Sequence, residues 1–303
     1  MSEITLLDGS IGQELVKRSG DRATPLWSTQ VMIDRPELVE AVHAAYFAAG
    51  ATVASTNTYA VLRDRLVRAG LQDQVDTLLA AALNAARAAR DAQGAGRIAA
   101  ALGPVGATYR PDLVVTVEDA AALYAPSLAA LDSGVDLWLL ETVASINHAQ
   151  TALAAVKAKT GKPVWLSITL SDDQAGCLRS GESVTEFTHF VSGLPAQDRP
   201  DAVLINCCRP EQVAGALPAL AATGLAFGAY ANGFTRISVD FLKEAPIVDA
   251  LEARTDLTPE AYADFVLTWV ESGATIVGGC CEVGPDHIAE VARRLRAVGH
   301  TIV

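Results

Sequence analysis

The stretch "TIVGGCCEVGPDHIAEVARRLRAVG", residues 275–299, joins a short apolar run, a glycine pair, two adjacent cysteines and an amphipathic segment. Such an apolar run is typical of a strand that is covered on both faces, and the segment after it has helical periodicity. Asp286 stands near the start of that segment and arginines stand near its end, as the helix dipole favours. The stretch therefore predicts a strand–loop–helix unit with Cys280 and Cys281 at the end of the strand.

The same unit recurs along the chain. Residues 36–50 and 117–134 are amphipathic, and the first of these segments has Pro36 in its first turn and Gly50 as its stop. Eight such units predict an α/β fold, a (β/α)8 TIM barrel. Seven earlier apolar runs of the strand type begin at Ile4, Thr52, Ile98, Leu137, Val164, Ala202 and Leu225.

A doubly wound open sheet is the alternative architecture. It usually places a glycine-rich turn after the first strand, but "DGSIGQ" at 8–13 lacks the G-x-G-x-x-G spacing of that turn. We therefore favour the barrel. Since no linker interrupts the pattern, the sequence predicts a single domain over residues 1–303, with long surface connections at 103–112 and 233–258.

Composition excludes several functional classes. The net charge of −12 argues against a nucleic-acid partner, which requires clustered Lys and Arg. The N-terminus has no signal-peptide pattern, and no apolar run reaches membrane-spanning length, so we expect a cytoplasmic protein without a membrane partner. Thiols stay reduced in that compartment, and the five cysteines therefore fit a disulfide framework poorly.

Four of the five cysteines lie at the ends of two predicted strands, because "NCC" at 206–208 ends the sixth strand and Cys280-Cys281 ends the eighth. Carboxyl-terminal strand ends form one rim of a barrel, and a catalytic zinc site takes three protein ligands and keeps one open position. We expect Gly278 and Gly279 to supply the backbone freedom that lets both adjacent cysteines reach one ion. Buried thiols without a metal are the alternative.

The remaining candidate ligands fit a metal site less well. Cys177 lies in a polar stretch without a partner nearby, so we expect it to fill space as a small buried side chain. The histidines lack metal-ligand spacing, and we expect His43, His148 and His287 on helix faces or at helix caps.

Three motifs together resemble the homocysteine S-methyltransferase family, which includes S-methylmethionine-dependent and betaine-dependent enzymes. They are "LLDGSIGQEL" at 6–15, Asn206-Cys207, and "GGCC" at 278–281 followed by "GPDHI". The resemblance extends from about Leu6 to the end of the chain. It implies a (β/α)8 barrel with zinc bound by Cys207, Cys280 and Cys281 and homocysteine as the fourth ligand. Cys208 is then a buried neighbour.

The resemblance also implies the substrate contacts. Glu141 would bind the ammonium group of homocysteine, although it could instead cap the following helix. Trp27 and Tyr59 would contact the methyl donor, although either could be core packing. The sequence departs from the family at Glu282, where Gly or Arg is common, and at Ser10, where Gly is common. The predicted substrate-binding residues are Asp8, Gly9, Trp27, Thr56, Tyr59, Glu141 and Asn232.

These expectations define a function. The sequence predicts zinc-dependent transfer of a methyl group from a sulfonium, S-methylmethionine or alternatively S-adenosylmethionine, to homocysteine, giving methionine. No side chain is expected to act as a general base, because zinc activates the substrate thiol. The compact chain favours this type over the betaine type, and we expect a monomer or weak homo-oligomer acting on small molecules. The alternatives are a betaine-type or other onium-dependent thiol or selenol methyltransferase, and a non-enzymatic zinc or redox thiol protein.

Overall fold

The computed structural model describes residues 2–20, 26–238, 242 and 251–303. Strands and helices alternate through these residues, and every strand expected from the sequence is present. The strands are β1 (Glu3–Leu6), β2 (Val53–Ser55), β3 (Arg97–Leu102), β4 (Leu137–Val143), β5 (Val164–Ile168), β6 (Ala202–Asn206), β7 (Ala226–Tyr230), β8 (Ile276–Val277) and β9 (Thr301–Ile302). The helices are α1 (Ile11–Ser19), α2 (Ser28–Asp34), α3 (Glu37–Ala49), α4 (Arg63–Leu66), α5 (Val75–Gln93), α6 (Val117–Leu131), α7 (Ile146–Lys157), α8 (Val184–Gly193), α9 (Pro210–Ala221), α10 (Pro259–Glu271) and α11 (Pro285–Ala297).

The first eight strands close into a barrel. Strands β2 to β8 are hydrogen-bonded neighbours in chain order, and β8 pairs in parallel with β1. Between β1 and β2, Leu7 bridges Val53, and the amide of Thr52 donates to the carbonyl of Leu6 at 2.7 Å. The (β/α)8 barrel expected from the sequence is therefore confirmed. Strand β9, which the sequence analysis did not predict, pairs with the first residues of β1.

Two buried layers hold the barrel together. Consecutive strand residues point to opposite faces, so Leu139 fills the barrel interior while Trp138 packs toward the helices. Strands β7 and β8 approach so closely that a Cβ on Gly228 would overlap the backbone of Ile276. None of the described helices has the length and apolar character needed to cross a bilayer.

The two long connections lie beyond the carboxyl ends of β3 and β7. The segment between β3 and α6 contains no helix or strand, but it is not wholly at the surface, because Tyr109 within it is only 4% exposed. The prediction for 233–258 falls partly on residues 239–241 and 243–250, which lie outside the described part of the chain. In its described part, Phe234 is buried. Tyr109 and Phe234 are therefore buried rather than part of a wholly surface connection.

Candidate metal and substrate site

Three thiols meet at one end of the barrel. The Sγ atom of Cys207 lies 2.7 Å from that of Cys280 and 3.7 Å from that of Cys281, and all three sulfur atoms lie within 4.8 Å of one another. These contacts are longer than the about 2.05 Å of a disulfide bond, and all three thiols are free. A tetrahedral ion with metal–sulfur distances of about 2.3 Å separates its sulfur ligands by about 3.8 Å. The Cys207–Cys281 separation matches this spacing and the Cys207–Cys280 separation is shorter, so the three sulfur atoms are close enough to share one ion.

The charge distribution within the cluster also favours a cation. The thiols of Cys280 and Cys281 hydrogen-bond to Cys207 and hold its pKa well below the usual thiol value. The same hydrogen bonds, together with burial, raise the pKa of Cys280 and Cys281. The three thiols therefore influence one another's ionisation strongly. A bound metal ion would neutralise three thiolates at once, which is the role that this donor set fits.

The chain brings the adjacent cysteines to one point by a route that differs from our expectation. Gly278 and Gly279 do not adopt the left-handed conformation, so the prediction that they supply unusual backbone freedom is wrong. They are required for space instead, because a Cβ on Gly278 would lie 2.5 Å from the Cβ of Leu7, and one on Gly279 would overlap Val283. Beside the thiols, Cys207 itself, with φ of 53°, and Glu282, with φ of 63°, are non-glycine residues with a positive φ.

The other two cysteines do not join the cluster. Cys208 points into the layer between barrel and helices, where burial raises the pKa of its thiol to about 12. This placement matches its expected part as a buried neighbour. Cys177 is half-buried beyond β5, where it forms a bridge with Ser183. Within the described residues, Cys207, Cys280 and Cys281 form the one group of three metal-ligand side chains.

The predicted histidine positions agree with the structure. His43 is buried on α3. His148 lies in the first turn of α7, and its Nε2 is 2.6 Å from the carbonyl oxygen of Leu113. The Nδ1 atom of His287 accepts a hydrogen bond from the amide of Gly284 at the start of α11. These histidines therefore lie on helix faces and at a cap rather than in the thiol cluster.

A cavity of about 820 Å³ opens above the three thiols. It is formed mainly by residues at the carboxyl ends of the strands, which is where barrels of this kind build their sites. Asn232 is not among the lining residues. The predicted site residues that line the cavity are Asp8, Gly9, Trp27, Thr56, Tyr59, Glu141, Cys207, Cys280 and Cys281.

Asp8 and Glu141 are the two predicted carboxylates on the cavity wall, which Asp64 and the cationic side chains of Arg65, Arg68 and Arg110 also line. Asp8 accepts hydrogen bonds from the amide of Ser55 at 2.6 Å and from its hydroxyl at 2.8 Å, and burial raises the pKa of Asp8 to about 7. Glu141 accepts from the hydroxyl of Tyr230 at 3.3 Å. Burial, and then the negative charge of Cys207, raise the pKa of Glu141 to about 8. A cationic ligand would relieve both carboxylates of this unfavourable burial.

Glu141 does not cap the helix that follows it. Ser145 is the N-cap of α7, and its hydroxyl accepts from the amide of His148 at 3.1 Å. Glu141 instead lies within β4 and faces the cavity. The alternative reading of Glu141 as a helix cap is therefore excluded.

Thr56 and Gly9 shape the cavity wall. The hydroxyl of Thr56 lies 2.6 Å from that of Thr58 and accepts from the amide of Ala101 at 3.2 Å. A Cβ on Gly9 would overlap the carbonyl oxygen of Val283, so only glycine fits there. Both positions are therefore fixed by contacts within the protein.

The two predicted aromatic donor contacts differ in their surroundings. Trp27 packs over Gly12, where a Cβ would lie 2.6 Å from the indole ring, and it borders the cavity. The hydroxyl of Tyr59 lies 2.9 Å from that of Thr108, and the guanidinium of Arg65 lies 4.9 Å from the centre of the Tyr59 ring. One face of Tyr59 therefore already contacts a cation.

Asn232 lies beside the cavity and not on its wall. The side-chain Oδ1 of Asn232 accepts from the backbone amide of Phe234 at 3.2 Å, and the backbone amide of Asn232 donates to the carbonyl of Cys208 at 2.9 Å. These bonds shape the chain where it leaves β7. A direct contact between Asn232 and substrate stays a prediction.

Sequence reasoning used Asn206 as part of a motif without giving it a role, and it missed Tyr109 and Thr169. The Oδ1 of Asn206 accepts from the amide of Thr142 at 2.9 Å and from the hydroxyl of Ser167 at 2.8 Å. Tyr109 and Thr169 donate from their hydroxyls to the carbonyl of Cys207, at 3.3 Å and 3.2 Å. Their place in the sequence could have pointed to the site, since Thr169 follows β5 directly and Tyr109 lies in the connection after β3.

A (β/α)8 barrel in which three convergent thiols and the carboxyl groups of Asp8 and Glu141 border one cavity defines a class of barrel protein with a small-molecule site and a thiol set of the metal-binding type. The family model described as homocysteine S-methyltransferase matches residues 5–295. The chain therefore belongs to the homocysteine S-methyltransferase family and is a methyltransferase.

Individual relatives agree with this assignment over nearly the whole chain. The homocysteine S-methyltransferase of Escherichia coli K12 is 30% identical, with 96% of this chain and 95% of that protein covered. A selenocysteine methyltransferase of Astragalus bisulcatus is 26% identical, with 96% and 92% covered. The crystal structure of the metallated form of the homocysteine methyltransferase MmuM from Escherichia coli superposes with a TM-score of 0.79 at 29% identity, covering 97% of this chain and 96% of that one.

Proposed function

We propose that this chain transfers a methyl group from a sulfonium donor to the thiol of homocysteine, giving methionine, with Zn²⁺ bound by Cys207, Cys280 and Cys281. The sulfur–methyl bond of the donor breaks as the new one forms, the donor leaves as a neutral thioether, and the thiol proton is released. S-methylmethionine is the proposed donor and S-adenosylmethionine the alternative. The observation that carries the proposal is the convergence of three sulfur atoms within 4.8 Å at a cavity that Glu141 and Asp8 also line.

The three cysteines select the metal and its chemistry. Thiolate ligands suit zinc, which binds three protein ligands in a catalytic site and leaves one position for substrate. Bound zinc would keep the acceptor thiol deprotonated at neutral pH, whereas a free thiol has a pKa of about 8.5. Three thiolates supply so much negative charge that the site is poorly suited to activating water. This charge favours thiol alkylation over hydrolysis.

The part of the cavity wall that carries Asp8 and Glu141 would orient the acceptor. Glu141 is half-buried and its pKa is raised to about 8, and an ammonium group beside it would stabilise its ionised form. Tyr230 holds the Glu141 carboxyl group through a 3.3 Å hydrogen bond. Asp8, held by Ser55, would contribute a second negative charge. We therefore propose that the amino group of homocysteine binds on this wall while its sulfur points toward the cysteines.

The apolar side of the cavity would accept the donor. A sulfonium is attracted to an aromatic face by about 0.5–2 kcal/mol, and its charge decreases as the methyl group moves to the thiolate. Trp27 is the stronger candidate for this contact, because Arg65 already covers one face of Tyr59. Tyr109 and Phe234, both buried beside the cysteines, exclude water from the same region. Placement of the two substrates, and not proton transfer, is the main task of the protein.

A selenol acceptor is a second candidate. The relative from Astragalus bisulcatus that bears the name selenocysteine methyltransferase is aligned over almost its full length. Thiols and selenols could both occupy the open position beside three thiolates. We propose homocysteine as the preferred acceptor, because the matching family model and the relative from Escherichia coli both bear the name homocysteine S-methyltransferase.

A panel of methyl donors and acceptors tests the proposal. Purified protein loaded with zinc is supplied with S-methylmethionine, S-adenosylmethionine or betaine, together with homocysteine or selenocysteine. We expect about one zinc ion per chain and the fastest methylation with S-methylmethionine and homocysteine, measured by mass spectrometry. Turnover with betaine but with neither sulfonium would overturn the donor assignment. Full activity in zinc-free protein would overturn the metal assignment. A cytoplasmic location, a single domain and a monomeric or weakly associating state stay predictions.

A further inference from the structure

The backbone of Cys207 adopts a conformation that its residue type disfavours. Its φ of 53° lies in the left-handed region, where a side chain crowds the following carbonyl group. Such a conformation persists only when surrounding contacts impose it. The amide of Cys207 makes a 3.3 Å hydrogen bond to the carbonyl of Tyr230, which fixes one side of the residue. The carbonyl on the other side must be fixed separately.

Two buried hydroxyl groups fix that carbonyl. Tyr109 donates to it at 3.3 Å and Thr169 donates to it at 3.2 Å. Neither residue is a metal ligand, and they reach Cys207 from different directions, since Tyr109 follows β3 and Thr169 follows β5. A carbonyl oxygen has two lone pairs, so it can accept both bonds together.

Tyr109 is itself held in place by charged residues. The guanidinium of Arg179 lies 4.5 Å from the centre of the Tyr109 ring, and it forms a 3.1 Å ion pair with Asp172. The side chain of Asp172 is only 6% exposed, and it also accepts from the amide of Ile237 at 2.9 Å. The connections after β3, β5 and β7 are thus tied together around the tyrosine. Such a contact network restricts the ring to one position above Cys207.

We infer that Tyr109 and Thr169 are positioning residues that clamp the carbonyl of Cys207, so that its sulfur faces Cys280 and Cys281 before a metal binds. The inference rests on the proposed metal site. Without the clamp, the Cys207 backbone could relax out of the left-handed region, and this would carry the sulfur away from the other two. Metal binding would then have to restore the strained conformation, so affinity would fall.

Metal affinity, measured without substrate, tests this inference. Y109F and T169V each remove one hydroxyl and keep the shape of the side chain. Cobalt(II) is titrated into the metal-free proteins in competition with a chelator, and thiolate-to-cobalt absorption is recorded. We expect each variant to bind cobalt about 10–100-fold more weakly, the range typical for lost outer contacts to metal ligands. The double variant should bind more weakly still, and at saturation all should show the spectrum of three thiolates.

Y124F is the matched control. The hydroxyl of Tyr124 donates at 2.9 Å to the carbonyl of Gly103, so this variant also loses a buried tyrosine–carbonyl bond, but one that does not involve a cysteine. Its cobalt affinity should equal that of the unmodified protein even if its thermal stability falls. Unchanged affinity in Y109F and T169V, or an equal loss in Y124F, would overturn the clamp while leaving the metal site intact. If the unmodified protein shows no thiolate–cobalt absorption, the metal site itself is overturned, and the clamp with it.

Discussion

The Sγ atoms of Cys207 and Cys281 lie 3.7 Å apart, although 74 positions separate the two residues in the chain. Their strands, β6 and β8, are not neighbours, because β7 lies between them. The two sulfur atoms therefore meet only when β6, β7 and β8 are paired and their ends come together. In an unfolded chain the ligands are dispersed, so metal binding and folding are thermodynamically linked.

This linkage gives a first prediction for the cysteines. C207A and C281A should each abolish stoichiometric zinc binding, because two thiolates do not hold the ion as three do. The addition of zinc should raise the Tm of the unmodified protein and leave the Tm of these variants unchanged, since a ligand stabilises only the state that it binds. Metal content by mass spectrometry and Tm by calorimetry are the two measurements.

C208A is the matched control for both variants. Cys208 is adjacent to Cys207 but is buried away from the cluster. Its removal should cost some stability through the lost packing and leave the zinc content at about one per chain. Zinc loss in C208A together with zinc retention in C207A would show that the two residues have exchanged roles.

Most of the fold could be predicted from the sequence, because each barrel strand is an apolar run followed by a helical segment. The short β8, Ile276–Val277, was identified because a full helix follows it. Strand β9 contains only Thr301–Ile302, which is too short to show any periodicity. It forms through pairing with β1, a long-range contact that no local pattern encodes.

The site could be predicted only in part. Placing residues at strand ends brought Cys207, Cys208, Cys280 and Glu141 to one rim, since strand ends share it. The choice of Cys207 over Cys208, and the role of Glu141, came from the resemblance to the family. Placement at strand ends was not enough for Gly279, because a glycine in a sequence can serve backbone freedom or close packing, and only coordinates distinguish the two. It also missed Tyr109, since a hydroxyl in a long connection gives no sign of which carbonyl it will reach.

A second prediction concerns Glu141. E141Q removes the negative charge proposed to bind the ammonium group of homocysteine, and a hydrogen bond to a charged group contributes about 1.5–3 kcal/mol. We therefore expect homocysteine to bind about 10–100-fold more weakly, with a smaller change in donor affinity. Calorimetric titration of the zinc-loaded protein measures this directly.

An acceptor analogue that lacks the amino group provides the control for E141Q. This thiol has no ammonium to lose, so the unmodified protein and E141Q should bind it with similar affinity. Y230F, which removes only the hydroxyl that contacts Glu141, should have a smaller effect on homocysteine than E141Q. Equal weakening of both ligands in E141Q would show that the substitution disturbs the cavity in general and would contradict the assigned contact.

A third prediction separates Trp27 from Tyr59. W27L keeps an apolar side chain but removes the aromatic face, so the KM for the sulfonium donor should rise about 2–30-fold, the equivalent of the cation–π attraction. Y59F keeps its ring and should leave the donor KM nearly unchanged. Initial rates at saturating homocysteine give both values. A larger effect of Y59F than of W27L would transfer the donor contact to the Tyr59 hydroxyl and its Thr108 partner.

A fourth prediction concerns stability and pH. His43 is buried on α3, and neither of its ring nitrogens has a hydrogen-bond partner. Burial lowers the pKa of His43 from the ordinary 6.5 to about 4. Between these values the unfolded chain binds a proton that the folded chain does not, so this histidine destabilises the fold increasingly as pH falls from 6.5 to 4. At pH 5 the effect amounts to about 2 kcal/mol, because this pH lies 1.5 units below the pKa of 6.5 that His43 has in the unfolded chain.

H43L should remove this contribution. The free energy of unfolding, measured by urea denaturation, should favour H43L over the unmodified protein by about 2 kcal/mol more at pH 5 than at pH 7.5. Carboxylates also weaken the fold in acid, but they do so in both proteins, and the difference between the two curves isolates His43. H189Q, which replaces an exposed histidine on α8, shows whether loss of any histidine has this effect. Parallel curves for H43L and the unmodified protein would mean that His43 is hydrated or paired in solution, contrary to its buried place on α3.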